Sequence, residues 1–197
     1  MKKLILASKS IYRKDLLNGL GIPFEVRVPN INELIKDTER SEDLALRLSI
    51  KKAESVILKN QFSEIIIGAD QVASINGEEL KKPSNESAAV KQLIYCQNKK
   101  IVFYSAVTII DTETMKYYST NSLTNTKIKK LSEEEIIFYV KKNKPFDCSG
   151  GIKIEKNGIA LFEYIKSNDP SSILGLPLIW VSKILNKLGL NPLSNNF

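Results

Sequence analysis

The chain has 197 residues, of which 43% are hydrophobic, enough for a sizeable core in one domain. The net charge is +7 with a pI of about 9.2, but only four of the 29 basic residues are Arg; most of the charge is read as solvated Lys faces, and nucleic acid is not the expected partner. There is no His, and Cys96 and Cys148 lack zinc-site spacing, which excludes Ser–His triads, His-held metals, His general bases and a disulfide framework. Acid–base work then falls to Asp, Glu, Lys, Tyr or Cys, and any metal is expected on oxygen, as Mg2+ or Mn2+. No apolar run approaches a bilayer span, and the short run Leu4–Ala7 is too brief for a signal-peptide core, so a cytoplasmic protein is expected.

Lys3–Ala7 reads as a short buried strand, followed by a helix over about Ser10–Leu20 with Gly21 as its C′ residue. The junction carries Ser8, Ser10, Arg13 and Lys14. A helix start offers unpaired N–H groups and a partial positive charge, and these side chains add donors and full charges, a cradle suited to a phosphate chain. Phe24–Val28 alternates as a strand and leads into a polar loop containing Glu33. An amphipathic helix is expected from about Glu42 to Lys59, with Lys51 and Lys52 on or near its polar face.

Glu64–Asp70 is a strongly apolar strand ending in a carboxylate. Ligands of open α/β sheets sit beyond the carboxyl ends of strands, so Asp70 is placed to hold a cation or to take a proton from water. Gln71–Ile75 is again strand-like, and Asn76-Gly77 marks a hairpin turn. Lys82 precedes Pro83, which restricts its backbone to extended geometry. Ser87–Cys96 reads as a helix, and Lys100–Asp111 with Lys116–Lys130 as two arms of a long hairpin. Ser132 with Glu135 forms a capping box that opens a helix to Lys142, and Pro145 stops it. Glu155 lies in a loop before a strand over Ile159–Ile165. Leu176-Pro177 opens a last helix to Leu188, closed by Gly189, and Asn191–Phe197 is a polar tail. The class is α/β, an elongated mixed twisted sheet with helices packed in two lobes around a central cleft, over a single domain spanning residues 1–197.

Taken together, Leu4–Lys14, Asn32-Glu33, Lys52-Ala53, Gly68–Val72, Lys82-Pro83 and Gly175–Leu178 resemble, in order and spacing, the Maf family of nucleoside triphosphate pyrophosphatases. The resemblance covers Leu4 to about Leu193 and implies an ITPase-like sheet and hydrolysis between the α and β phosphates with a divalent cation, Mg2+ or Mn2+. It implies that Ser8, Ser10, Arg13 and Lys14 bind triphosphate, and that Glu33 and Asp70 hold the cation, with Asp70 accepting the proton of the attacking water. Lys52 and Lys82 would offset charge on the phosphates. Tyr12, Gln71 and Glu155 are similar to the 7-methyl-GTP branch rather than the dTTP/UTP branch. Tyr12 can stack on the cationic base. Glu155 can pair with that ring or accept from the guanine edge, and Gln71 can read a base edge or set Asp70. A homodimer is also implied. The chain departs from the family pattern at Ile11 (usually Pro), Lys14 (usually Arg) and Lys81 (usually Gly). A dTTP/UTP pyrophosphatase, or a non-catalytic cell-division regulator, are the competing readings.

Overall fold

The computed structural model describes residues 2–36, 38–58 and 63–194. The order of elements is β1 (Lys3–Ala7), α1 (Ile11–Asn18), β2 (Phe24–Arg27), α2 (Ser41–Glu54), β3 (Glu64–Ile75), β4 (Glu78–Glu79), α3 (Glu86–Cys96), β5 (Lys100–Asp111), β6 (Lys116–Ile128), α4 (Glu133–Asn143), β7 (Phe162–Ser167) and α5 (Leu178–Lys187). The strands form one mixed sheet in the order β2-β1-β3-β5-β6-β7, with β4 also paired to β3. β1 runs parallel to β2 and β3, while β3, β5, β6 and β7 pair antiparallel in turn. The mixed α/β class expected from the sequence is therefore observed.

The long strand β3 organises the sheet. Its side chains alternate between two covered faces, so it reads as an almost unbroken apolar run. On one face, Ile65, Ile67 and Ala69 pack with Leu17 of α1 and Val181, Ile184 and Leu185 of α5. Further along that face, Ala73 and Ile75 pack with Leu93 of α3 and Ile136 and Val140 of α4. The other face belongs to α2: Ala53 packs with Ile66 and Ile110, and Leu44 and Leu48 with Val72 and Ala106.

α2 lies directly on β3 at Gly68. A Cβ there would stand 2.3 Å from the Ser49 carbonyl oxygen and 2.5 Å from the Ala53 nitrogen, so only a bare backbone allows the approach.

Capping fixes several element ends where the sequence places them. Ser10 caps α1 by accepting from the Arg13 amide, and the Ser132–Glu135 capping box opens α4. Asn76 and Gly77 both adopt positive φ between β3 and β4, as a tight hairpin requires.

Other boundaries differ from expectation. Asp70 does not end its strand: β5 pairs with β3 from Ile65 through Ser74, and the backbone continues extended to Ile75. α1 stops at Asn18, and the left-handed glycine, Gly21, follows its C-cap Gly19 by two residues. α2 ends at Glu54, where Ser55 Oγ donates back to the Lys52 carbonyl; Lys59, where that helix was expected to end, lies outside the described residues. Asn85 caps α3 one residue earlier than the expected start, and β6 ends at Ile128 rather than Lys130. Ile159–Leu161 belongs to a 3-10 turn rather than to β7, because Gly158 folds tightly against the Lys153 carbonyl. Of the expected polar tail, residues 195–197 lie outside the described residues.

Gly68→Ala is expected to destabilise the protein by about 3 kcal/mol, the upper part of the range for overpacking, because helix backbone rather than a movable side chain meets the new methyl. Urea unfolding checks this; a loss under 1 kcal/mol counts against the close packing of α2 on β3.

Candidate active site

β1 pairs with β3 only as far as Ala7 opposite Gly68, and β4 rejoins the same edge at Ser74 and Ile75. Between them one edge of β3 carries Asp70 and Gln71, and it opens on a cleft. Its outer part, of about 500 Å3, is lined by Ser8, Lys9, Ser10, Tyr12, Arg13, Glu33, Lys52, Lys82 and Asp147, among others. An inner recess of about 100 Å3 adds Asp70, Gln71, Phe103, Ile152, Ile154 and Glu155. Asp70 thus sits just past the end of a parallel neighbour, which retains the crevice logic of α/β sheets although its own strand runs on.

Three charged groups form the centre. Lys52, on α2, places Nζ 2.8 Å from Glu33 Oε1 and 2.5 Å from Asp70 Oδ1. Lys52 and Asp70 are buried, at 7% and 8% exposure, and a buried ammonium is tolerable only with such partners. Glu33 remains half exposed on its loop. Partial desolvation works to raise its pKa, but the Lys52 hydrogen bond and the charges of Lys52, Lys82 and Arg13 outweigh it, so the carboxyl lies below its ordinary value.

At the start of α1, three of the four expected cradle residues, Ser8, Ser10 and Arg13, line the cleft. Ser8 Oγ accepts from the Ser10 amide at 3.1 Å, and Ser10 Oγ from the Arg13 amide at 3.3 Å. The amides of Ile11 and Tyr12, which the helix itself cannot satisfy, belong to residues of the same mouth. Arg13 Nε donates to the Gly175 carbonyl at 3.0 Å. Burial pushes the Arg13 guanidinium down from its usual value, while Asp70 and Glu33 act in the other direction. Lys82 is exposed at the rim. Lys14 is also exposed but lines none of this cleft.

The remaining expected residues surround the recess. Tyr12 and Glu155 line it, with Ile152, Ile154 and Phe103 as its apolar wall. Partial desolvation moves the Glu155 carboxyl up, although the residue keeps contact with solvent. Gln71 points to the face opposite Asp70. Its Nε2 donates to Ser105 Oγ and to the carbonyls of Ser172 and Ile173 at 3.0–3.1 Å. That amide nitrogen is therefore committed within the protein, which leaves Oε1 for the recess. The Ser172–Leu174 turn it holds leads to Gly175, whose carbonyl orients Arg13.

Some residues of the cleft were not found from sequence. Glu79 lines the inner side with Glu33, Asp70 and Lys82, and its Oε2 is buried without a partner. The Asn76-Gly77 turn held the signal: it fixes Glu79 opposite Ser74, which shares a face with Asp70. Desolvation raises the Glu79 pKa, with Lys81 opposing and Asp70 adding to the rise. Asp147 pairs with Lys153 at 2.9 Å beside Tyr12. Arg47 grips Glu39 with Nε at 2.5 Å and Nη2 at 2.6 Å, a pair that no sequence spacing announces.

A divalent cation fits this donor set. Lys52 Nζ shows that two carboxylates converge on one position that a positive charge can occupy. Among the described residues no group of three or more His, Cys, Asp or Glu could hold a metal ion alone. Two carboxylates completed by phosphate and water oxygens is a common arrangement for Mg2+. The same cleft presents Lys9, Arg13 and Lys82 outside that point.

Such a cleft defines an α/β protein with a basic mouth and two carboxylates about a lysine at its floor. The chain belongs to the Maf family: the signature of Maf-like proteins matches residues 3–188. It is 38% identical over 188 residues to a protein of Aromatoleum aromaticum named 7-methyl-GTP pyrophosphatase, covering 95% of this chain and 96% of that one. Proteins of the same name from Bordetella pertussis and Hahella chejuensis are each 39% identical to it, covering 98% and 95% of this chain and 96% and 94% of theirs. The solved structure of the Staphylococcus aureus Ham1 protein aligns at a TM-score of 0.46 with 14% identity, over 80% of this chain and 90% of that one. Among the described residues no helix is long and apolar enough to cross a membrane.

Glu39 is held at about 2, chiefly by the Arg47 hydrogen bonds, against an ordinary value of 4.5. A depressed carboxylate stabilises the fold fully above its unfolded pKa and ceases to do so as pH falls through its folded one. Glu39→Gln is therefore expected to lower stability by roughly 2 kcal/mol at pH 7, and the difference from wild type is expected to close between pH 4.5 and about 2. Denaturant titrations at a series of pH values check it; a gap independent of pH would contradict the assignment.

Proposed function

We propose that the protein hydrolyses 7-methyl-GTP to 7-methyl-GMP and pyrophosphate, with a divalent cation. The observation that carries this reading is the convergence of Glu33 and Asp70 around Lys52 Nζ at the floor of a basic cleft, with carboxylate oxygens beyond those bound to Lys52 left for a cation. Near-full-length identity to proteins named 7-methyl-GTP pyrophosphatase supports the choice of substrate.

Ser8, Ser10 and Arg13, with the free amides at the start of α1, bind the phosphate chain. Glu33 and Asp70 hold the cation, which supplies charge to offset that developing on the phosphates. Asp70 offers Oδ2, because Oδ1 is taken by Lys52. In the proposed step Oδ2 accepts the proton of a water whose oxygen bonds to the α-phosphorus. The bond from that phosphorus to the bridging oxygen breaks, and pyrophosphate leaves with the bonding pair. Lys52 and Lys82 offset the charge that builds on the leaving group.

The base enters the recess. Tyr12 supplies a face for stacking on a cationic ring, which a neutral guanine rewards less. Glu155 places a carboxyl at the side of the base, and a positive ring there opposes the desolvation that raises its pKa. Gln71 Oε1 offers an acceptor to the N1–H and amino edge. Phe103, Ile152 and Ile154 give the recess its apolar walls.

Pyrophosphate release is to be measured with 7-methyl-GTP, GTP, dTTP, UTP, CTP and ATP, each with Mg2+, Mn2+ or EDTA. Cation-dependent preference for 7-methyl-GTP is expected; preference for dTTP or UTP overturns the base assignment, and no turnover on any nucleotide overturns the enzyme. Asp70→Asn is expected to lose at least about 10^3 in kcat with the fold retained, in the range general-base removal gives. Glu155→Gln is expected to reduce the preference for 7-methyl-GTP over GTP about tenfold, the effect of one lost charge-assisted contact. An unchanged ratio removes Glu155 from base recognition.

A further inference from the structure

Residues 28–40, between β2 and α2, carry Glu33 yet form no helix or strand where they are described. Ile31 packs against the cluster of Leu44 and Leu48 on α2, but past Glu33 apolar burial stops: Leu34 is 72% and Ile35 42% exposed. From there on the attachments are polar and come from α2. Arg47 donates Nη2 to the Leu34 carbonyl at 3.0 Å, one residue past Glu33, while its fork clasps the carboxylate of Glu39. The clasp is sheltered, with Arg47 and Glu39 side chains 16% and 9% exposed. Five residues further along the same helix, Lys52 holds the Glu33 carboxylate itself. One rigid helix thus fixes both the backbone next to Glu33 and the end of its side chain.

Lys52 alone is a poor anchor for Glu33. The Glu33 side chain is half exposed and has rotamer freedom to lose, and an ammonium is a point charge with no preferred direction. A guanidinium that binds a carboxylate with two nitrogens and a carbonyl with one of them restrains position and direction together.

We propose that Arg47 and Glu39 form a positioning pair that sets where Glu33 stands relative to Asp70, and through Glu33 the affinity of the site for its divalent cation. The proposal rests on the reading of Glu33 and Asp70 as the cation's ligands. Arg47 touches neither substrate nor cation. It acts on a ligand through the backbone beside it, as groups outside a metal site commonly do.

The test is Mn2+ binding to the full chain without nucleotide, followed by calorimetry or by loss of the free-ion electron paramagnetic resonance signal, alongside thermal melting and amide hydrogen exchange. Arg47→Ala is expected to weaken Mn2+ binding about tenfold, the lower end of what such outer partners contribute. Arg47→Lys keeps a charge beside Glu39 and guards against a variant that fails to fold; it cannot hold Glu39 in a fork and Leu34 at once, so it is expected to lose most of that tenfold while still melting as a folded chain. Exchange of the amides of residues 30–36 is expected to quicken in both variants while β3 stays protected. Wild-type Mn2+ affinity and exchange in both variants overturns the proposal and leaves the ligand reading standing. A wild-type chain that turns over nucleotide without binding Mn2+ overturns the ligand reading, and the proposal with it.

Discussion

α2 can lie on β3 only because residue 68 has no side chain, and the site depends on that contact. The helix meets the sheet at Gly68 through Ser49 and Ala53, with Lys52 in the same turn, and Asp70 is the next residue on the same face of β3. The two side chains are thereby forced together in a buried place, where each is tolerable because the other is there. Glu33 completes the group from a loop without helix or strand, held by Ile31 against the α2 cluster on one side and by the Arg47 contact with the Leu34 carbonyl on the other, while Lys52 pairs with its carboxylate. Two carboxylates against one ammonium leave a net negative point within a cleft otherwise lined by Lys9, Arg13 and Lys82. Carboxylates about Lys52 at the floor thus lie close to the cations of the mouth, Lys9, Arg13 and Lys82.

Strand alternation then divides the work of two adjacent residues. Asp70 faces α2 and Lys52; Gln71, one residue on, faces the other side of the sheet. There its amide nitrogen and the Ser105 hydroxyl bind the Ser172 turn, which the buried Asp169 ties to the first turn of α5 through Ile179. The turn ends at Gly175, whose positive φ is one that side chains rarely adopt and which lies against Arg13. A single dipeptide of β3 therefore supports both the acidic floor and the arginine of the phosphate cradle, from opposite faces.

Much of this was legible in the sequence because it rests on local chemistry. Ser10 and Ser132 announce helix starts through hydroxyls that satisfy orphan amides, and Asn76-Gly77 announces a turn through its tolerance of positive φ. The residues of the centre were also legible, since a carboxylate after an apolar run and lysines with a family spacing stand out in one dimension. The length of β3 was not. A polar residue inside a strand buried on both faces looks like its end, and only pairing with the distant β5 shows that the chain runs on. The Arg47–Glu39 clasp, the Asp147–Lys153 pair and the ties of Gln71 were invisible for the same reason. Each joins residues whose proximity is decided by how loops fold over the sheet, not by any period in the sequence.

The three departures from the family pattern have structural accounts. Proline at position 11 would preset φ at the first helical residue, but Ser10 already caps α1 through its side chain, and Ile11 stands 62% exposed at the mouth of the cleft. Lysine for arginine at position 14 gives up a planar fork, yet the side chain there is exposed and lines none of the cleft, so no bidentate contact to phosphate is lost in this geometry. Glycine at position 81 would matter if the backbone needed a left-handed turn. Lys81 is not among the residues with positive φ, it is exposed, and its carbonyl accepts from Gln92 as any residue's could. Glycine is required instead at Gly68, where a methyl would meet the backbone of α2, and at Gly175, where φ is positive, and at both positions this chain keeps its glycine. The substitutions fall where side chains meet solvent, while the positions that set the distance between α2, β3 and Arg13 are unchanged.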